Sequence, residues 1–188
     1  MVDWNSQPIL DEESERVRDI YERGAPRYNT MIGVWEQALF AGSRRWACEQ
    51  AYGDVLEAAI GTASNIPWYP HDVKLTGIDV SESMLDAARI LAETLDSVVT
   101  LPVADAQRLP FDAASFDTVV ATLTMCSNPE SRLAAGEMAR ALRPGGQLCL
   151  GDHVASPNKG VRGSAARART ARRPIPRRAS ASKPAPRR

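Results

Sequence analysis

The chain has 188 residues, enough for one domain with a substantial core. Its formal net charge is zero, yet residues 159–188 contain 11 Lys and Arg and no Asp or Glu. The other 12 basic and 23 acidic residues give residues 1–158 a net charge of −11, which makes this part a poor candidate for binding nucleic acid.

The three cysteines, Cys48, Cys126 and Cys149, are widely separated and form no CxxC pair. Neither a disulfide framework nor a metal site is therefore predicted. No apolar run reaches the roughly 20 residues that a membrane span needs, and the first 20 residues are charged, unlike a signal peptide. These features favour a reducing, cytoplasmic location without a membrane span.

Two helical segments are predicted near the N-terminus, over residues 9–23 and 31–52. Gly24 and Pro26 are expected to end the first segment, and Gly53 the second. Helical spacing of apolar residues predicts the buried face of the second segment as Ile32, Trp35, Leu39, Trp46 and Ala47.

From residue 54 onward, strand-like apolar runs alternate with helical segments. The predicted strands are 54–60, 74–79, 98–103, 116–123 and 147–153, and the predicted helices are 81–94 and 129–142. Ser81 is predicted as a helix N-cap, and Pro129 as a first helical residue. Apolar strands that alternate with helices indicate an α/β fold with a doubly wound parallel sheet of about five strands.

After residue 158 the chain changes character. Residues 159–188 contain two large aliphatic side chains, Val161 and Ile175, and no aromatic one. Such a segment cannot bury enough apolar surface to offset its ordering entropy, so we predict that it is disordered. The predicted organisation is a domain over 1–158, with N-terminal helices in 9–52 and a core in 54–158, followed by a basic tail.

Three residues stand where an open α/β sheet binds ligands, beyond the carboxyl ends of its strands. Gly61 follows the first predicted strand, Asp79 ends the second and Asp105 follows the third. A glycine lets a ligand approach the backbone closely, and a carboxylate at the end of the second strand can accept hydrogen bonds from both hydroxyls of a ribose. Each residue also has an ordinary alternative, as a turn glycine, a helix cap or a solvated loop carboxylate.

Four motifs are more specific together than any of these residues alone. They are VLEAAIGTASN at 55–65, LTGIDVSESML at 75–85, VADAQRLPF at 103–111 and LRPGG at 142–146. Their order resembles the class I S-adenosylmethionine-dependent methyltransferases, specifically the small-molecule type that includes quinone C-methyltransferases and phosphatidylethanolamine N-methyltransferase-like proteins. The resemblance implies a Rossmann-like fold, S-adenosyl-L-methionine as cofactor and a small-molecule methyl acceptor.

The resemblance also implies a role for single residues around the first two strands. Glu57 and the segment Gly61, Thr62 and Ala63 would form the loop under the methionine part of the cofactor. Asp79 would hold the ribose hydroxyls. Related proteins commonly have glycine where Ala63 stands, so its Cβ is expected to crowd the cofactor unless the local φ is negative.

The remaining implied contacts lie at the two ends of the cofactor. Met84 would pack near the adenine, and Asp105 and Ala106 would meet the adenine edge. The residues implied at the methionine end are Tyr28, Thr122 and Leu123. A second departure from the glycine pattern, Ala59, is expected to be the milder one because it is predicted to lie within the first strand.

The resemblance ends after the fifth predicted strand. Class I methyltransferases usually continue with a helix and an antiparallel strand pair, which this sequence lacks before its basic tail. We therefore expect strand 147–153 to be an exposed apolar edge. The hypothesis that follows is a truncated or frameshifted methyltransferase.

No catalytic base is identified. Asp152 and His153 end the last predicted strand, His71 lies in a predicted turn, and Cys126 lies near the expected pocket. The predicted function is S-adenosylmethionine-dependent methyl transfer to a small molecule. One alternative is an inactive remnant whose basic tail binds nucleic acid or acidic surfaces nonspecifically. Another is a nicotinamide-dependent oxidoreductase, which the missing GxGxxG pattern disfavours.

Overall fold

The computed structural model describes residues 10–39 and 41–152, without the side chains of 31–39 and 41. The helices are α1 Glu12–Leu39, α2 Ala41–Glu49, α3 Glu82–Thr94 and α4 Ser131–Ala141, with a short 3₁₀ helix at Ile66–Trp68. The strands are β1 Asp54–Ala58, β2 Lys74–Ile78, β3 Val99–Thr100, β4 Phe116–Thr122 and β5 Leu142–Gly151. The predicted alternation of strands and helices is confirmed.

One sheet of five parallel strands organises these elements, in the order β3-β2-β1-β4-β5. In β1, Glu57 is aligned with Gly77 of β2 on one side and with Val120 of β4 on the other. The strand order reverses between β1 and β4, which is where doubly wound folds bind their ligands. The predicted Rossmann-like architecture is therefore confirmed.

Successive residues of β1 face different helical layers. Val55 belongs to a buried cluster with Ala47 of α2 and Leu85 of α3. Its neighbour Leu56 belongs to a second cluster with Met138 of α4. All five side chains are fully buried. Both faces of the sheet are thus covered, which fits the high apolar content of β1 and β4 in the sequence.

The prediction for the end of the first helix was wrong. α1 continues through Gly24 and Pro26 instead of stopping there. Its start is capped by Asp11, whose Oδ1 accepts a hydrogen bond from the Ser14 N–H at 2.8 Å. Pro26 cannot donate the helical hydrogen bond to Glu22, but the Glu22 side chain is bonded to α3. Such tertiary contacts outweigh the local stop signals.

The second predicted helix, 31–52, does not exist as one element, because α1 ends at Leu39 and α2 spans Ala41–Glu49. Ala47 is buried as predicted, but Trp46 is 57% exposed. Ala47 and Cys48 form the side of α2 that packs on the sheet, which leaves Trp46 on the outer side. The other members of the predicted face have side chains outside the described set, namely Ile32, Trp35 and Leu39.

Two predicted helix starts had different outcomes. The Ser81 Oγ accepts a hydrogen bond from the Met84 N–H at 3.2 Å, which confirms the predicted N-cap of α3. α4 begins at Ser131, so Pro129 precedes the helix instead of opening it. The cyclic side chain of Pro129 lies in the loop that follows β4.

The two outer strands differ from their predicted lengths. β3 has two residues instead of the predicted six, and Val98 beside it is 96% exposed, as is common at a sheet edge. β5 begins at Leu142, so LRPGG lies within the strand and not before it. The pairing with β4 is irregular there, with a register shift between Phe116 and Thr118. The residues between paired Leu142 and Gln147, which include both glycines of the motif, fall within this shift.

His153 and the predicted tail over 159–188 lie outside the described residues, so the disordered tail and the truncation stay predictions. Within the described part, β5 is the last strand of the sheet and Leu150 on it is 43% exposed. Among the described helices, none is both long and apolar enough to cross a membrane.

We expect Gly77→Ala to lower the free energy of unfolding by about 1–3 kcal/mol through overpacking. A Cβ at residue 77 would lie 2.3 Å from the Cδ1 of buried Ile60 and 3.1 Å from its Cβ. Gly136→Ala in α4 is the matched control, because no atom lies within 4 Å of its added Cβ. That change should raise the free energy of unfolding by up to about 1 kcal/mol. Chemical denaturation measures both, and equal effects would contradict the packing described.

Candidate functional site

A cleft that is open to solvent lies beyond the carboxyl ends of β1, β2 and β4. Nine of the eleven residues that the sequence predicts at the cofactor site line it: Tyr28, Gly61, Thr62, Asp79, Met84, Asp105, Ala106, Thr122 and Leu123. The other two, Glu57 and Ala63, are buried behind the first loop. The topology thus brings together residues that are up to 95 positions apart in the chain.

The loop after β1 has an unusual backbone. Ala59, Gly61 and Ala63 all adopt positive φ, at 54°, 59° and 63°. Each alanine in this left-handed region costs roughly 1–2 kcal/mol. The negative φ that would relieve Ala63 is therefore absent. Ala59 lies beyond the end of β1, so its predicted place within the first strand was wrong.

Gly61 is the point of this loop where a ligand can approach the backbone. An added Cβ at Gly61 would have no atom within 4 Å, and the residue lines the cleft. Ala63, in contrast, is fully buried in the core cluster. Its methyl group points away from the cleft lining, so the crowding predicted for Ala63 has no counterpart in this geometry.

Asp79 connects the loops after β1 and β2. Its Oδ2 accepts a hydrogen bond from the Gly61 N–H at 3.0 Å, and its Oδ1 accepts one from the Ser81 N–H at 2.9 Å. The side chain is 8% exposed, and burial raises the pKa of Asp79 to about 6. The Val80 N–H interacts with the same carboxylate. Asp79 lines the cleft, so the acceptor capacity that these N–H groups leave can meet hydroxyl groups of a ligand.

A buried polar network supports the first loop from below. The Glu57 carboxylate accepts hydrogen bonds from Asn65 Nδ2 at 2.5 Å and from the Tyr69 hydroxyl at 3.0 Å. Burial raises the pKa of Glu57 to about 7, against the opposing effect of these two donors. Glu57 therefore holds the loop in place and does not itself line the cleft.

Asn65 links this network to two further elements. Its Nδ2 also donates to the Thr122 Oγ1 of β4 at 2.8 Å, and its Oδ1 accepts from the Arg44 Nη1 of α2 at 3.0 Å. The Arg44 Nη1 also donates to the Thr122 Oγ1 at 3.0 Å. The sequence did not predict Arg44, Asn65 and Tyr69 as site residues. The residues next to each of them in the sequence give no sign that the three belong to one hydrogen-bond network.

Two aromatic rings of α1 belong to the cleft wall, and the resemblance implies that one of them, Tyr28, lies at the methionine end of the cofactor. Tyr21 and Tyr28 lie seven positions apart on α1, and their ring centroids are 6.1 Å apart. Both rings line the cleft, and burial raises the pKa of Tyr21. Tyr21 was missed, although its helical spacing from Tyr28 places the two on one face and could have indicated it.

α1 is bonded to the loop after β1, to the first turn of α3 and to the loop after β3. The Thr62 hydroxyl donates to Asn29 Oδ1 at 2.6 Å, and the Ser83 N–H donates to Glu22 Oε1 at 3.3 Å. In the loop after β3, Gln107 Nε2 donates to the Ser14 Oγ at 2.7 Å, and Ser14 is 2% exposed. The N-terminal helix therefore forms one wall of the cleft.

The candidates for a general base are placed as follows. The Asp152 carboxylate accepts a hydrogen bond from the Met125 N–H at 2.5 Å, and Cys126 beside it is an exposed free thiol whose pKa is raised by burial and by Asp152. His71 lies exposed in the loop before β2, outside the cleft lining. Within the described part of the chain, no cluster of His, Cys, Asp and Glu could hold a metal ion.

Known proteins share this sequence pattern and fold. A family model described as a methyltransferase domain matches residues 55–146. A phosphatidylethanolamine N-methyltransferase of Cereibacter sphaeroides is 42% identical over 105 residues, which are 55% of this chain and 52% of that protein. A demethylmenaquinone methyltransferase of Deinococcus radiodurans is 31% identical over 155 residues, which are 78% of this chain and 64% of that protein.

A solved structure is also similar to this chain. The chain matches a putative methyltransferase from Bacillus halodurans with a TM-score of 0.58 and 26% identity, over 65% of this chain and 54% of that one. The sheet order, the cleft and these matches together show that the chain belongs to the class I S-adenosylmethionine-dependent methyltransferases. It spans between about half and two thirds of the length of these relatives.

Glu57→Gln should flatten the pH dependence of stability. Burial raises the pKa of Glu57 to about 7 in the folded protein, above its ordinary value of 4.5. Between these pH values the folded state keeps a proton that the unfolded state has lost. The free energy of unfolding therefore falls as the pH rises through this window, by at most about 1.4 kcal/mol per pH unit. Glutamine has the same shape and cannot ionise, so this part of the slope should disappear.

Denaturation of both proteins from pH 5 to 8 measures this difference. The matched control is Glu93→Gln, an exposed position on α3 outside the buried network. Identical slopes for the wild type and the Glu57 variant would contradict the buried, partly protonated carboxylate.

Proposed function

We propose that this protein transfers a methyl group from S-adenosyl-L-methionine to a small-molecule acceptor. The observation that carries the proposal is the pairing of Asp79 with Gly61 at the switch point of the sheet. There a carboxylate that lines the cleft stands beside a stretch of backbone that a ligand can approach. This combination fits a ribose diol and the chain that extends from it.

The adenosine half of the cofactor is assigned to the loops after β2 and β3. Asp79 would accept the ribose hydroxyls, and Met84, a fully buried side chain at the cleft wall, would pack near the adenine. Asp105 and Ala106 would meet the adenine edge by side chain and backbone. Both are at most 6% exposed, so their polar groups face the cleft with little competition from water.

The methionine half is assigned to the first loop and the end of β4. Gly61 and Thr62 would line the methionine part, with Glu57 and Ala63 supporting the loop from behind. Residues of the wall near the reacting methyl group would be Tyr28, Thr122 and Leu123. The bound cofactor supplies an electrophilic methyl group on its sulfonium. The protein's part is to hold donor and acceptor in line and to exclude water, which is where orientation contributes most.

The acceptor is proposed only as a small molecule. The two relatives are named for different acceptors, phosphatidylethanolamine and demethylmenaquinone, so their names do not select one for this chain. The relatives support neither the oxidoreductase nor the inactive remnant. We also propose a cytoplasmic location, supported by the free thiol of exposed Cys126.

Binding of S-adenosylhomocysteine tests this proposal. In calorimetric titration at pH 7.5, where a pKa of about 6 leaves Asp79 ionised, the wild-type protein should bind it. Asp79→Asn should weaken binding by roughly 10- to 100-fold, because hydrogen bonds to a charged acceptor are lost. Asp72→Asn is the matched control, since Asp72 is exposed before β2 and outside the cleft lining.

Two outcomes would contradict the proposal. One is the absence of binding by folded wild-type protein, and the other is an equal affinity of the Asp79 and Asp72 variants. Thermal unfolding of each variant checks that a loss of binding does not come from a loss of the fold.

A further inference from the structure

Gln107 joins three parts of the structure on the adenine side of the cleft. Its Nε2 donates to the Ser14 Oγ of α1 at 2.7 Å. The same nitrogen lies 3.3 Å from Oδ1 and 3.2 Å from Oδ2 of Asp105. Its Oε1 accepts a hydrogen bond from the Glu130 N–H at 2.8 Å, immediately before α4. Both polar atoms of the amide are therefore engaged, and its orientation is fixed from three sides.

These contacts set the orientation of a carboxylate in the cleft wall. Besides the side-chain contacts, the Gln107 N–H donates to Asp105 Oδ1 at 2.8 Å. The amide nitrogen has two hydrogens, so with one on Ser14 the other is shared between Oδ1 and Oδ2. Because Oδ1 also accepts the backbone N–H, Oδ2 is the oxygen with more acceptor capacity left for a ligand. Asp105 is 6% exposed, so this site is directed by the protein and not by solvent.

We propose that Gln107 is a positioning residue that aims the Asp105 carboxylate at an amino group of the bound base. The inference rests on the proposed function, which places the adenine edge at Asp105 and Ala106. A carboxylate oxygen accepts a hydrogen bond from the 6-amino group of adenine and gains nothing from a purine without that group. Hydrogen bonds weaken steeply when their angle is poor, so the selectivity depends on how the carboxylate is held.

The Ser14 contact gives the same residue a link to α1. The amide that orients Asp105 also bonds the first turns of the helix that walls the cleft. A variant without this amide loses both the side-chain bond to Asp105 and the bond to Ser14 of α1. Selectivity between a ligand with the 6-amino group and one without it depends only on Asp105. Selectivity therefore separates the positioning role from a general effect on the wall.

The test compares two ligands by calorimetry: S-adenosylhomocysteine and its analogue that lacks the 6-amino group. The wild-type protein should prefer the amino compound by roughly 10- to 100-fold, the range of one hydrogen bond to a charged group. Gln107→Met keeps the length of the side chain but cannot donate. It should reduce this preference by about 3- to 10-fold, through weaker binding of the amino compound. The affinity for the analogue should change little.

Two further variants sharpen this comparison. Gln107→Glu keeps an acceptor for the Glu130 N–H but has no donor for Asp105, so it should lose the preference as well. Gln50→Met is the matched control at an exposed position before β1, and it should keep the wild-type preference. Thermal unfolding of every variant identifies any protein that has lost its fold, and the Glu variant stands in where the Met variant has done so.

Asp105→Ala distinguishes a failure of this inference from a failure of the proposed function. If Asp105→Ala abolishes the preference but both Gln107 variants keep it, the positioning role is wrong and the adenine assignment stands. A Gln107 variant that binds both ligands more weakly by the same factor also contradicts the positioning role, because the effect of Gln107 is then only structural. If Asp105→Ala keeps the preference, or the wild-type protein binds neither ligand, the adenine assignment is wrong and this inference with it.

Discussion

The hydrogen bond between the Gly61 N–H and the Asp79 carboxylate joins the loops after two adjacent strands, and the form of the cleft depends on it. To make this bond the chain must turn sharply after β1, with Ala59, Gly61 and Ala63 in the left-handed region. Two of these residues have a Cβ, so the loop carries local strain. The Asp79 bond and the buried network around Glu57 hold the loop in spite of that strain, which ties the site to the core of the sheet.

Much of the fold follows from the sequence because burial on both faces dictates the composition of the strands. β1, β2 and β4 are short strands with buried apolar residues, and each was predicted within one or two residues. The errors fall where a distant contact outweighs a local signal. α1 continues through Gly24 and Pro26 because it packs on α3. β5 includes LRPGG because its first residues pair irregularly with β4. A local pattern carries no information about such partners.

Some residues of the candidate site could likewise be predicted from the sequence, and others could not. Asp79 and Asp105 could be found from the sequence, because the ends of parallel strands always meet at one edge of the sheet. Asn65 could not, because its importance comes from facing Glu57, Thr122 and Arg44 at once. The backbone of the first loop was also beyond sequence reasoning, since an alanine is an unusual choice for a positive φ and its sequence gives no sign of one.

The cleft is built from two kinds of structure with different origins. The floor consists of loops that the sheet fixes, whereas the wall formed by α1 is held by polar side-chain contacts to Thr62, Ser83 and Gln107. Thr62 and Gln107 lie in the loops after β1 and β3, and Ser83 lies in the first turn of α3, so α1 contacts the segments that follow three strands. A ligand that bridges the loops therefore also stabilises the wall, because the groups that line the floor and the groups that hold α1 belong to the same short segments of chain.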